Sequence, residues 1–235
     1  MTVEAAGGRR ARVIPCLPPF LLDALVPSRD GTSLAVRVGG RTVGRVDPAV
    51  PAALGLRAGV TVDEAGWPAL QEAMARRGAF DAGVRLLARR ARSRFAVQRR
   101  LSAAFGEEAA MDAVGRLAPY LDDRAFASAW VDARLRRGPV GRTALLAGLR
   151  REGVSGDTAR EVVDAAAPEV DMGDLARRAA AQRLARMRGV PPQRVRARLW
   201  AFLARRGFAD AVIAAALRAI LTSPGGADDA PSGDG

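Results

Sequence analysis

Arginines are the side chains of this sequence with the most evident chemistry. They crowd into clusters: Arg89, Arg90, Arg92 and Arg94; Arg99 and Arg100; Arg134, Arg136 and Arg137; Arg150 and Arg151; Arg183, Arg186 and Arg188; Arg194, Arg196 and Arg198; Arg205 and Arg206. A guanidinium is permanently charged, and its planar fork pairs with phosphate and carboxylate alike. Such groups bind anions. A solvated helix face would account for any single cluster. Taken together, 29 arginines against 15 acids over residues 76–223 exceed what solubility needs, so phosphate or acidic-protein binding is the better account. All 37 basic residues among the 235 are arginine, set against 25 acids, for a net charge of +12. Residues 1–75 contribute almost none of it, with 8 arginines and 7 acids.

Catalytic chemistry is poorly supplied. With no histidine and a single cysteine there is no histidine general base, no zinc site of the Cys and His type and no intramolecular disulfide. Cys16, in Ile14-Pro15-Cys16-Leu17, reads as apolar filling suited to a reducing compartment. Asp122 and Asp123 are adjacent carboxylates at a helix start, where capping outweighs metal binding or acid–base work. Gly39-Gly40 is a turn and not a phosphate loop, because no Gly-Lys-Ser/Thr follows. Aromatic residues are few and do not interleave with the arginines as in base-stacking surfaces; Phe126, Trp130, Trp200 and Phe202 fall at core spacing. The expectation is a non-enzyme with no catalytic residue, cofactor, metal or small-molecule substrate. The apolar run Val13–Val26 is interrupted by three prolines and Asp23, which argues against a membrane span or export signal and for the cytoplasm.

The elements that would position these arginines change character along the chain. Residues 33–38 and 41–46 are β-branched runs flanking Gly39-Gly40, which predicts a hairpin. Ala49–Leu56 suits a short helix, and Asp63 opens a second one through Arg76, starting late because of Gly66 and Pro68. From Gly78 the text turns to alanine, leucine and arginine at helical spacing. Nine helices are predicted, at roughly 79–92, 94–105, 107–118, 122–137, 139–151, 156–167, 171–188, 191–206 and 209–222. The resulting organisation is an N-terminal extension and β-hairpin lobe over 1–76, helices over 77–223, and a disordered acidic tail over 224–235.

The nine helices repeat in threes, over about 79–118, 122–167 and 171–222. Val97, Leu101 and Phe105 recur 48 residues later as Leu145, Leu149 and Gly153, and 54 further on as Leu199, Leu203 and Gly207. The same offsets carry Val114 to Val162 and Ala216. Leu149–Val154 and Leu203–Phe208 read as helix ends in which Gly153 and Gly207 take the left-handed position. Phe105-Gly106 places its glycine one residue late. Asp122 is a cap for the helix carrying Phe126 and Trp130, Pro139 suits a first helical position, and Thr158 with Glu161 forms a capping box. Stacked three-helix units imply a mainly α protein with an elongated, curved body.

Tyr120-Leu121-Asp122-Asp123-Arg124-Ala125-Phe126-Ala127, followed by Trp130 and Arg134, resembles the "YLDD..FA" signature of the RecX recombination regulators. Gly138-Pro139, Leu149–Val154 and the arginine-rich Leu87–Ser93 are similar to neighbouring segments of that family, and Leu54–Gly59 to its "LGL..G" segment. The resemblance implies a regulatory protein of DNA repair, homologous recombination and the SOS response. Its partner would be the RecA recombinase and the RecA filament on single-stranded DNA, whose ATPase and strand exchange it lowers. Candidate partner or DNA contacts are Arg89, Arg90, Arg92, Arg94, Arg99, Arg100, Arg134, Arg136, Arg137, Arg150 and Arg151. Asp122, Phe126, Trp130, Gly153 and Gly207 are structural candidates. The alternative is a sequence-tolerant nucleic-acid-binding helical repeat acting independently of RecA.

Overall fold

The computed structural model describes residues 17–166 and 171–222; Cys16 and the acidic tail lie outside them. Five short strands come first: β1 (Phe20–Leu21), β2 (Ala24–Pro27), β3 (Leu34–Val38), β4 (Arg41–Val46) and, after helix α1 (Val50–Ala53), β5 (Thr61–Val62). β2, β3 and β4 form an antiparallel sheet in that order, and β1 pairs antiparallel with β5. Gly39 and Gly40 both have positive φ, 56° and 70°, the backbone that a two-residue hairpin turn matched to strand twist demands. The lobe closes over Leu22, Val36, Val43, Val46, Val62 and Leu70, with Trp67 edge-on to Phe20 at 5.2 Å.

Among the described residues nine α-helices follow: α2 (Trp67–Arg89), α3 (Arg94–Phe105), α4 (Glu107–Arg116), α5 (Asp123–Arg136), α6 (Arg142–Arg151), α7 (Gly156–Ala166), α8 (Met172–Leu184), α9 (Pro192–Arg205) and α10 (Asp210–Leu221). The fold is mainly helical, with a small β-containing N-terminal part. The repeat register is visible in the packing: Val97, Leu101, Leu145, Leu149, Leu199 and Leu203 are all buried, as are Val114, Val162 and Ala216.

One boundary differs from the sequence reading. α2 runs unbroken across Gly78, where a break and a domain boundary at 76/77 were expected. Gly78 and Gly83 are sites of close approach within a helix. A β-carbon on Gly78 would lie 2.8 Å from the Phe105 ring, and one on Gly83 would lie 2.4 Å from the Leu117 side chain. The lobe and the first helical set accordingly share one compact unit, comprising the described residues up to Arg92 and Ala96–Leu121. The second unit comprises Ser93–Phe95 and the described residues from Asp122.

Within the second unit the helix ends carry the architecture. Gly153 and Gly207 both have φ of 79°. Val154 N–H donates to the Leu149 carbonyl at 3.1 Å and Gly153 N–H to Arg150 at 2.9 Å; Phe208 and Gly207 repeat this on Leu203 and Ala204. Each pair satisfies carbonyls that the helix end would otherwise orphan. Asp122 caps α5, its carboxylate accepting from the Arg124 and Ala125 amides, both at 2.9 Å. Trp130 lies over Gly148, whose β-carbon would meet the indole at 2.2 Å, and Phe126 packs on the same core.

Two expected helix starts are corrected. Pro139 does not open α6, which begins at Arg142 after Gly141. Instead 139–141 lies against the end of α9: Gly141 N–H donates to the Arg206 carbonyl at 2.8 Å and Thr143 N–H to Gly207 at 3.1 Å. α7 is capped by Ser155, whose hydroxyl accepts from the Thr158 amide at 3.1 Å, and not by Thr158. Glu161 pairs with Arg124 at 2.6 Å, with no part in a capping box.

Gly189 and Gly207 separate conformation from contact. Both have positive φ, but Gly189 faces open space, whereas a β-carbon on Gly207 would lie 2.4 Å from the Ala144 nitrogen. Gly189→Ala should cost about 1–2 kcal/mol, the left-handed penalty alone. Gly207→Ala should add an overpacking cost of about 1–3 kcal/mol, because the obstacle is backbone. Urea denaturation followed by circular dichroism checks this; equal losses from the two variants would mean that the close approach carries no energetic weight.

Candidate functional site

Asp122 and Asp123 are both committed to helix N-termini. Asp122 caps its own helix, while the Asp123 carboxylate accepts from the Arg94 amide at the start of α3, at 2.7 Å. Both therefore satisfy orphan amides. Among the described residues no group of three His, Cys, Asp or Glu side chains converges as a metal site, and no helix is long and apolar enough to cross a membrane.

The candidate arginines divide between the two units. Arg89, Arg90, Arg99 and Arg100 are exposed and Arg92 half-buried in the first, while Arg94, Arg134, Arg136, Arg137, Arg150 and Arg151 are exposed in the second. The structure brings two of them together with two others. Arg134 and Arg137, at the end of α5, line one cleft with Arg205 and Arg206, at the end of α9. Gly138, Pro139, Val140 and Ala144 complete it, around a volume of about 240 Å³. Arg136, Arg150 and Arg151 do not line it.

The four guanidiniums are not equivalent. Arg206 is half-buried, donates to the Pro139 carbonyl at 2.8 Å and lies 4.7 Å over the Phe202 ring. It positions the turn. Among the described residues no ion pair engages Arg134, Arg137 or Arg205, whereas Arg124, Arg142, Arg160, Arg177 and Arg178 of the same unit all meet carboxylates. The sequence presents Arg205 and Arg206 as one pair among several. The signal that would have promoted them is the register: 54 residues separate them from Arg151 and Glu152, and Gly207 from Gly153.

A different arginine escapes the sequence reading because it has left the surface. Arg77 is only 6% exposed. Its guanidinium reaches Asp47 and Asp81, both at 2.9 Å, the Thr32 hydroxyl at 3.2 Å and the Thr32 carbonyl. Arg116 meets the other Asp47 oxygen at 2.9 Å and covers the Phe80 ring at 4.1 Å. Burial raises the Asp47 carboxyl, but hydrogen bonds and charge from Arg77 and Arg116 outweigh that and hold it below the usual carboxylate value. Asp30 sits at about 2, held there first by the Ser28 hydroxyl and then by the Thr32 amide and hydroxyl. This network joins the β-lobe to α2 and α4 and takes no part in the open cleft.

Three-helix domains of a known family match the second unit. The model of the second three-helix domain of RecX matches residues 122–163, and that of the third matches residues 169–217. A "Regulatory protein RecX" of Pelodictyon phaeoclathratiforme is 34% identical over 158 residues, covering 66% of this chain and 95% of the relative. The protein of the same description from Thermobifida fusca is 40% identical over 126 residues, 53% of this chain and 66% of the relative. A crystal structure of regulatory protein RecX superposes with a TM-score of 0.63 at 20% identity, covering 82% of this chain and 96% of that one, which establishes likeness of fold.

The Arg77 network should dominate the stability of the first unit. Removing one partner of a buried ion cluster leaves the others uncompensated, at about 3–5 kcal/mol. Because Asp47 and Asp81 keep side-chain exposures of 33% and 23%, Arg77→Ala should fall near the low end of that range, about 3 kcal/mol. The pH dependence has a definite sign. A carboxyl with a depressed folded pKa stabilises fully above its unfolded value of 3.8 and progressively less as pH falls through the folded value. Wild-type melting temperature should therefore fall below pH 3.8, with Asp30 still ionised down to about 2, and Asp47→Asn should show a shallower fall. Melting curves from pH 2 to 6 test this; identical slopes would remove Asp47 from the network.

Proposed function

The chain belongs to the RecX family, and from that premise we propose that it binds the RecA recombinase on single-stranded DNA and lowers its ATPase and strand-exchange activity. The observation that carries this reading is the extent of the likeness, since the matched region covers 95% of a relative described as a regulatory protein. In this reading the protein is a regulator, not an enzyme, and works in the cytoplasm in homologous recombination and the SOS response. Its exposed arginines, Arg89, Arg90, Arg94, Arg99, Arg100, Arg134, Arg136, Arg137, Arg150 and Arg151 with the half-buried Arg92, supply contacts to the acidic surface of the filament.

A second reading, nucleic-acid binding without RecA, is favoured by the acid-free cleft at the ends of α5 and α9. Both readings require salt-sensitive DNA association. Only the first requires an effect on the recombinase.

The test is a titration of full-length protein into RecA hydrolysing ATP on single-stranded DNA. Hydrolysis should fall at or below stoichiometric amounts, at DNA concentrations that leave free strand in excess. An unchanged rate, with DNA binding intact, would discard the RecA reading in favour of the second.

A further inference from the structure

We propose that the cleft lined by Arg134, Arg137, Arg205 and Arg206 seats the phosphodiester backbone of a nucleic acid. The proposed RecA function supplies only the setting for this, a filament that contains DNA.

Charge is the first argument. Two helix C-termini together present about one negative charge, so dipole compensation accounts for about one of the four guanidiniums. The remainder is uncompensated, and no carboxylate lines the cleft. Five arginines elsewhere in the same unit meet carboxylates, whereas among the described residues no ion pair engages Arg134, Arg137 or Arg205. Like charges held together repel, and an anionic occupant relieves that.

Shape is the second. At about 240 Å³ with a polar lining, the cleft is smaller than the mostly apolar pockets that take whole small molecules. It suits a group that is part of a larger chain. Gly138, Pro139, Val140 and Ala144 carry no charge, so the arginines are the charged residues of the lining, and Arg206 is fixed by Pro139 and Phe202. Arg206 thereby anchors one wall while Arg134, Arg137 and Arg205 are available.

The number of charges favours phosphate over carboxylate. One strand delivers a charge about every 3.4 Å of helix axis, so adjacent phosphates bring several charges to a single site. A single carboxylate would leave most of the cleft unneutralised. Register gives an internal contrast: 48 and 54 residues earlier, Arg134, Arg137, Arg205 and Arg206 correspond to Leu86, Arg89, Arg151 and Glu152. The earlier register therefore lacks this concentration of charge, although Arg134 and Arg137 recur 49 residues later as Arg183 and Arg186.

The experiment measures binding of full-length protein to a labelled single-stranded 30-mer over a salt series. Arg134→Ala/Arg205→Ala should keep the wild-type melting temperature, both residues being exposed, and should flatten the log–log salt slope by about 0.7 for each phosphate no longer neutralised. A control removing equal charge, Arg177→Ala/Arg178→Ala, should leave the slope near wild type. Arg134→Lys/Arg205→Lys should restore most of the slope. If alanine lowers the melting temperature, the Arg134→Gln/Arg205→Gln pair carries the same expectation. No salt-dependent binding by wild type, an unchanged slope, or equal flattening by the control would overturn the proposal. RecA ATPase run in parallel separates the two claims. Abolished inhibition with an unchanged DNA slope would assign the cleft to protein carboxylates and overturn the phosphate seat. A flattened slope from a protein that never inhibits RecA would support the seat while the regulatory reading fails.

Discussion

The second unit depends on a junction at which two helix ends satisfy one another. A helix leaves amides orphaned at its start and carbonyls orphaned at its finish. Here the amides of Gly141 and Thr143, at the entry to α6, donate to the carbonyls of Arg206 and Gly207, at the exit of α9. The backbones approach so closely that a β-carbon on Gly141 would sit 2.2 Å from the Gly207 carbonyl. Opposite dipole ends also face each other, which adds attraction at no cost in side chains. A related arrangement occurs one register earlier, where the Ser93 hydroxyl donates to the Glu152 carbonyl and a β-carbon on Gly153 would meet Phe95. The glycine is therefore doubly constrained, by its own φ and by its neighbour.

That junction also determines where charge collects. Helix exits favour cations, so α5 and α9 end in arginines for local reasons. Once the entry to α6 is clamped to the exit of α9, those two local preferences share one cleft. The surplus charge at the cleft thus follows from a backbone contact. Five more residues separate the first and second helices of the third repeat than of the second, since α5 relates to α8 by 49 residues and α6 to α9 by 54. The insertion, around Gly189-Val190-Pro191-Pro192, lengthens a connection without disturbing the buried register of Leu199 and Leu203.

Periodicity and turn chemistry made much of this legible. Leu145, Leu149, Leu199 and Leu203 could be named as core from spacing, the hairpin from Gly39-Gly40, and the caps at Gly153 and Gly207 from the residues around them. What could not be read were glycines and prolines whose reason lies in a distant neighbour. Gly78 looks like a helix breaker, but it is small because Phe105 packs there. Pro139 looks like a helix start, but its carbonyl serves Arg206. The candidate arginines were legible as a class and not as a site, because register places Arg205 beside Arg137 only after the junction forms.

Arginine serves three physical roles in this chain, and composition cannot tell them apart. Arg77 is a buried crosslink that meets Asp47, Asp81 and Thr32 with one planar fork. Arg206 divides its fork between a carbonyl and the face of Phe202. Arg134, Arg137 and Arg205 hold their charge open to solvent. A lysine could supply the charge of the third role, but its single ammonium lacks the geometry for the first two. The first role consumes charge internally, the second consumes hydrogen-bonding capacity, and only the third leaves both for a partner. Net charge alone therefore overstates the surface available for binding, and the useful measure is the set of guanidiniums that folding leaves uncommitted.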